Sequence, residues 1–333
     1  MAEKKERIKW IDMAKGYGII LVLIGHCDMP YLTDYIYAFH IPLFFFLSGY
    51  VFTTKCDFPA YFLNKLRRMV IPYFCLSIPM IFFELFFENN GVINIDGIQS
   101  EIYKFFLQER HTTMWYLSSL ILLVFIMYPL TKLKSCYLVV IIIISSLCGL
   151  LLWRNDIWAL PWNFDAALVV LPFFSAGYFV RKRYESSLSI MQSNKRTAFA
   201  VLLVFTLLTI FTADYNLKLS GNKIDIFCSN FRIEWLSYIA AFAGIISCFL
   251  LSMIYSNNII RYIGQNSLIF FAWHQSIIMP SLSYLYWKTG ISEWEVYQGS
   301  TVFKWTTIVL TLFILSLVNE LIIHSKIKFI LGK

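Results

Sequence analysis

Residues 10–28 read WIDMAKGYGIILVLIGHCD. Apart from Asp12, Lys15, His26 and the terminal Asp28 the stretch is apolar or small, and with its flanks it reaches the roughly 20 residues that cross a bilayer. It follows a charged start, MAEKKERIKW, and has no small-residue cleavage site. It therefore reads as a retained first helix rather than a removed signal peptide.

The pattern recurs along the chain. Apolar stretches at 12–29, 34–54, 69–88, 114–131, 136–153, 163–180, 197–213, 233–255, 264–286 and 302–324 predict an all-α, polytopic bundle of about ten transmembrane helices. Composition agrees: 59% of the 333 residues are hydrophobic and 14% charged, against about 25% charged in soluble domains. No connection is long enough to hold a second domain, so residues 1–333 read as one membrane unit. The seven cysteines form no C-x-x-C pair and read as small hydrophobes, not as a metal site.

Net charge is +8. The basic residues lie in short clusters between apolar runs, which excludes a nucleic-acid stripe and fits orientation signals in a lipid bilayer. With the N-terminus in the cytoplasm, twenty of the 28 Lys and Arg residues fall inside and eight outside. That split predicts both termini in the cytoplasm.

Ionisable groups inside a membrane are expensive and mark functional sites. Lys15 and His26 are eleven residues apart, about three helical turns, so they share one face about 16 Å apart along the axis. Taken alone, Lys15 reads equally as a snorkelling anchor, and a lone membrane histidine as a packed one. A second histidine, His40, follows in FHIPLFFFLSGY (39–50), with Pro42 expected to bend that helix beside it. The next basic group, FLNKLRRMVIPYF (62–74), sets Lys65 and Arg68 three apart with Arg67 between. On the residues alone these read first as positive-inside charges; with Lys15 they would also make a phosphate clamp. Asp165, Glu84 and His274 are the further polar candidates in or near spans. Trp158 and Trp235 read first as interfacial aromatics, and His111 as a loop residue.

The patterns WID..KG.GI.LVLIGH, FHIPLFFFLSGYVF and K..R..IPYF resemble the acyltransferase family 3 membrane enzymes, with the nearest likeness in the fucose 4-O-acetylase-like subgroup. The likeness is strong over residues 7–75 and looser beyond, in MWYLSSL, FFSAGYFVRK and IGQNSLIFFAWH. It departs from the family at Lys65, where arginine is common. The resemblance implies transfer of acetyl from cytoplasmic acetyl-CoA, without a metal, to a hydroxyl of a cell-envelope glycan or lipid-linked sugar. It implies a bacterial cytoplasmic membrane protein. His26 would be general base or acyl carrier, with His40 beside it; Lys15, Lys65, Arg67 and Arg68 would hold the coenzyme; Asp165, Glu84 and His274 would meet the acceptor. The rival expectation is a glycolipid or polysaccharide flippase without covalent chemistry, for which no inverted repeat is visible.

Overall fold

Helix α1 (Lys9–His26) buries residues on all sides, Trp10, Met13, Ile19, Val22 and Leu23 among them. A helix apolar all round belongs in the centre of a bundle. The computed structural model describes residues 7–29, 31–88, 95–108, 112–157, 159–290 and 300–333. The remaining helices are α2 (Leu32–Tyr37), α3 (His40–Val51), α4 (Phe58–Lys65), α5 (Ile71–Glu88), α6 (Ile95–Leu107), α7 (Trp115–Leu130), α8 (Ser135–Arg154), α9 (Phe164–Ser193), α10 (Lys195–Ser220), α11 (Glu234–Ile254), α12 (Asn258–Gln265), α13 (Ser267–Trp273), α14 (Met279–Lys288) and α15 (Thr301–Ile323). π turns join α4 to α5 (Leu66–Val70) and α13 to α14 (His274–Ile278).

The ends carry recognisable signals. Asn194 caps α10 by accepting from the Thr197 N–H, and Gly221 ends that helix with φ of 73°. Asn257 caps α12 through the N–H groups of Ile259 and Ile260.

Around α1 lie α3, α11, α12 and α13. Two contacts bring backbones together through glycine. A Cβ on Gly49 of α3 would lie 1.8 Å from the Phe174 carbonyl oxygen of α9, and one on Gly177 would lie 2.0 Å from that of Phe46. Likewise a Cβ on Gly264 would lie 1.7 Å from the Asp12 carbonyl oxygen. Small residues permit such approach where helices have no hydrophobic drive to associate in lipid.

The periphery is the reverse. Val140, Ile143, Ile144 and Leu147 on α8, Val204, Leu207 and Phe211 on α10, and Val309, Phe313 and Leu321 on α15 are exposed. Lipid, not water, is the solvent that suits them. Among the described residues six helices are long and apolar enough to cross a membrane: Phe58–Phe86, Ser135–Arg154, Pro161–Tyr184, Lys195–Ser220, Glu234–Ile254 and Thr301–Ile323.

The ten predicted stretches overlap helices, with two internal breaks, one of them at Asn266 between α12 and α13 in 264–286. The second stretch, 34–54, is split into α2 and α3 at Ala38 and Phe39. Pro42 consequently sits in the first turn of α3, where an N–H has no helical partner to lose. It starts a helix rather than bending one.

Candidate functional site

The π turn after α13 begins at His274. Such turns shift a helix's register and recur at functional sites. Here the ring is fully buried, and its Nδ1 lies 3.0 and 2.9 Å from the carbonyl oxygens of Phe270 and Phe271. Since a carbonyl only accepts, Nδ1 carries the proton and the neutral ring keeps its lone pair on Nε2. Nε2 is buried with no hydrogen-bond partner among the described residues. His40 is held the same way, donating from Nδ1 to the Ile36 carbonyl at 2.9 Å across the α2–α3 break. That break is what lets the Ile36 carbonyl meet the His40 ring.

His26 ends α1 beside His274. Its ring centroid is 5.1 Å from that of His274 and 6.1 Å from that of Tyr37, which is itself 5.0 Å from His40. His26, His40, His274 and Glu84 all line one cavity of about 630 Å³, with Tyr37, Asp28, Trp115, Lys223, Asp225, Phe227 and Gln275. Four residues singled out in the sequence thus converge from α1, α3, α5 and the α13–α14 turn.

The end of α1 is fixed from α15. Lys304, only 7% exposed, donates to the Asp28 carbonyl at 2.9 Å. A cation there also complements the C-terminal dipole of α1. Sequence counting had used Lys304 only as an orientation charge.

The segment 221–233 closes the cavity's side. Ile224, Ile226 and Phe231 bury their side chains, and Asp225 and Asn230 pair backbone to backbone at 2.8 Å in both directions. Asp225 Oδ1 accepts from the Phe227 N–H at 3.0 Å and from the Cys228 N–H at 3.4 Å. Burial pushes the Asp225 carboxyl above its usual range, with the Cys228 N–H and Lys223 pulling the other way. The Lys223 ammonium sits 3.9 Å from the Tyr37 ring centre, a cation–π contact. None of this segment was legible as a site, because its charges have no periodic setting.

The basic residues gather at the other end of α1, but not as one clamp. Arg67 and Arg68 line a cavity of about 590 Å³ with Asn64 and Lys333. Lys15 lines a second, smaller one with Arg7, Asp12 and again Lys333. Lys333 is lowered from the usual lysine value by burial and by Arg7. Lys65 departs from the expected cluster: its ammonium lies 5.3 Å from the Tyr61 ring and 5.9 Å from the Phe52 ring. The π turn that starts at Leu66 takes more residues per turn, so residues three apart no longer share a face.

Two further expectations change. Asp165 does not line the histidine cavity. It is fully buried, accepting from Trp153 Nε1 at 2.7 Å and from the Leu160 N–H at 3.1 Å. Its carboxylate holds the start of α9 against α8. Lys15 and His26 share a face, yet Ile19 and Val22, between them on that face, are 0% and 2% exposed. The face is packed, and the two residues line different cavities. His111 and Trp158 lie outside the described residues.

An apolar, lipid-suited shell around a cavity lined by three histidines marks a membrane-embedded protein with titratable groups gathered at one site. The acyltransferase family 3 domain matches residues 8–323, and the chain belongs to that family. It is a membrane acyltransferase by that membership. No curated protein and no solved structure matches the chain.

Proposed function

We propose that this protein is an O-acetyltransferase that moves acetyl from cytoplasmic acetyl-CoA to a hydroxyl of a cell-envelope glycan or lipid-linked sugar, in a bacterial cytoplasmic membrane. The observation that carries the reading is His26, half-buried in the cavity beside His274 and Tyr37.

A sugar hydroxyl is a weak nucleophile until a base accepts its proton. In this reading His26 is that base. The hydroxyl oxygen attacks the thioester carbonyl as its proton passes to His26. The tetrahedral centre then collapses, the C–S bond breaks, and His26 returns the proton to the coenzyme A sulfur. His40 and His274, each with Nδ1 held by a carbonyl, keep the neighbouring rings in one orientation, so no reorganisation is needed when charge develops.

The coenzyme's phosphates fit the opposite end. Arg67, Arg68 and Lys333 surround a cavity there, with Lys15 and Arg7 next to it, and charge-assisted bonds to phosphate are the strong kind. The excess of Lys and Arg on that side supports placing it in the cytoplasm. The packed residues Ile19 and Val22 lie between the two ends, so passage of the acyl arm requires that packing to part.

The test is transfer of labelled acetyl from acetyl-CoA to glycan in membranes carrying the wild-type protein or His26→Ala at equal abundance. Transfer lost in the variant supports the reading. Equal transfer removes His26 as base, and no transfer by either protein favours the flippase.

A further inference from the structure

We propose that His274 is a positioning residue for His26: when His26 takes up the hydroxyl's proton, its other ring N–H donates to the Nε2 lone pair of His274; this rests on the acyltransferase reading above. His274 Nε2 is buried without a hydrogen-bond partner among the described residues. A buried polar atom in that state calls for an explanation. Nδ1 keeps the ring's proton, because it faces the carbonyls of Phe270 and Phe271 at 3.0 and 2.9 Å. Nε2, on the opposite side of the ring, can then only accept. The imidazole beside it is that of His26. Two imidazoles sharing an in-line N–H···N bond of about 2.9 Å have ring centres roughly 5 Å apart. Those of His26 and His274 are 5.1 Å apart, with the rings tilted by 47°. Rotation of the His26 ring about its own side-chain bonds is the motion that closes the bond, and catalytic hydrogen bonds commonly tighten only once substrate is bound.

The lone pair is held in place from several sides. Thr113 Oγ1 donates to the Ala272 carbonyl at 2.8 Å, and Trp273 Nε1 donates to the Leu76 carbonyl of α5 at 3.0 Å. The two residues ahead of His274 are thus tied to two other parts of the chain, and the π turn begins at His274 itself. His26 is the opposite case: it is half-buried, and its ring makes no hydrogen bond among the described residues. His40 does not offer the same partnership, since its ring meets Tyr37 at 5.0 Å. A fixed ring therefore stands beside a free one. A protonated His26 has two N–H donors. One carries the proton taken from the hydroxyl and gives it to the coenzyme A sulfur as the C–S bond breaks. The other needs an acceptor while the charge lasts, and a base oriented by a third group is the recurring arrangement in acyl transfer. His274 neither gains nor loses a proton, because the carbonyls behind Nδ1 take none.

The experiment compares His274→Asn and His274→Gln in the full chain in nanodiscs, with labelled acetyl-CoA and the glycan of the membranes as acceptor. Asparagine keeps an N–H where Nδ1 stands and removes the lone pair at Nε2. Glutamine reaches the Nε2 position with an amide oxygen that accepts. His274→Asn should lower kcat about 10–100-fold, the worth of one hydrogen bond to a charged group, with KM for acetyl-CoA and for the glycan unchanged. His274→Gln should recover part of that loss. A second measurement needs no variant of His274: in protein labelled with 15N-histidine, the His274 Nε2 resonance should move as His26 is protonated in a pH titration, and should not make that move in His26→Ala. Undiminished kcat in His274→Asn would overturn the inference. So would a raised glycan KM at full kcat, which would set Nε2 against the acceptor instead of His26. If His274→Asn does not fold, the resonance decides: an Nε2 signal indifferent to His26 overturns the pairing. An Nε2 signal that follows His26 in a protein that transfers no acetyl would keep the imidazole pair and sink the acetyltransferase reading.

Discussion

At one end of α1, imidazoles from three separate elements line one cavity, His26 5.1 Å from His274 between ring centres, with His40 and His274 tied by Nδ1 to backbone carbonyls. At the other end, Arg7, Lys15, Arg67, Arg68 and Lys333 are spread over two adjoining cavities, and Arg67 and Arg68 are exposed. The contrast is physical. In the proposed mechanism proton transfer demands fixed geometry within hydrogen-bond reach, and the two rings that flank the cavity with His26 are buried and anchored to main chain. Holding phosphates demands field and reach, which long, solvated side chains supply without a fixed pose.

The contrast is broken most directly at the anchored end. Loss of a general base typically costs 10²–10⁴-fold, so His26→Ala should lower acetyl transfer by about that factor, measured at equal protein abundance. A smaller drop would mean that the imidazole cluster does not carry the proton.

Next in size is the packing that holds α1 in register. Gly264→Leu places a side chain where the Asp12 carbonyl already sits 1.7 Å from an ideal Cβ. It should destabilise the fold by about 3 kcal/mol or more, seen as a lower Tm by fluorescence-detected unfolding. A protein of unchanged Tm would show that α1 and α12 can separate without cost.

The diffuse end should respond by degrees. Arg67→Glu with Arg68→Glu should raise KM for acetyl-CoA roughly tenfold with kcat little changed, since a uniform binding term is lost. Lys65→Met, facing the rings of Tyr61 and Phe52, should leave that KM within about twofold. An equal effect of the two would rejoin Lys65 to the clamp.

Lys304 tests whether anchoring matters at a distance. Lys304→Met leaves the Asp28 carbonyl without its buried donor, a loss of about 1–3 kcal/mol. The expected result is a fall in kcat with KM for acetyl-CoA unchanged, and recovery in Lys304→Arg. The smallest effect is assigned to Asp165→Asn. It should lower Tm by weakening the bonds to Trp153 and Leu160, and leave acceptor KM as it was.

Much of this was legible in the chain. His26, His40, His274 and Glu84 were singled out one by one, and the fold brings all four to one cavity. Asp165 was singled out by the same rule, that charge in a membrane helix signals function. Its partner turned out to be Trp153 of the preceding helix. The rule finds buried charge and does not say what neutralises it. Lys223, Asp225 and Phe227 were passed over because a loop has no period from which a direction can be read.

The sequence by itself determined the apolar helices, the single face shared by Lys15 and His26, and the family. Each depends on residue identity and local spacing, and a helix repeats every 3.6 residues whatever surrounds it. Tertiary structure alone decided that Lys65 turns to Tyr61 and Phe52 rather than joining Arg68. It also decided that Ile19 and Val22 are packed between the two ends of α1, and that a loop after α10 completes the histidine cavity. Those outcomes depend on which side chains arrive from other elements to fill the same volume, and close packing is a property of the assembled bundle rather than of any one segment.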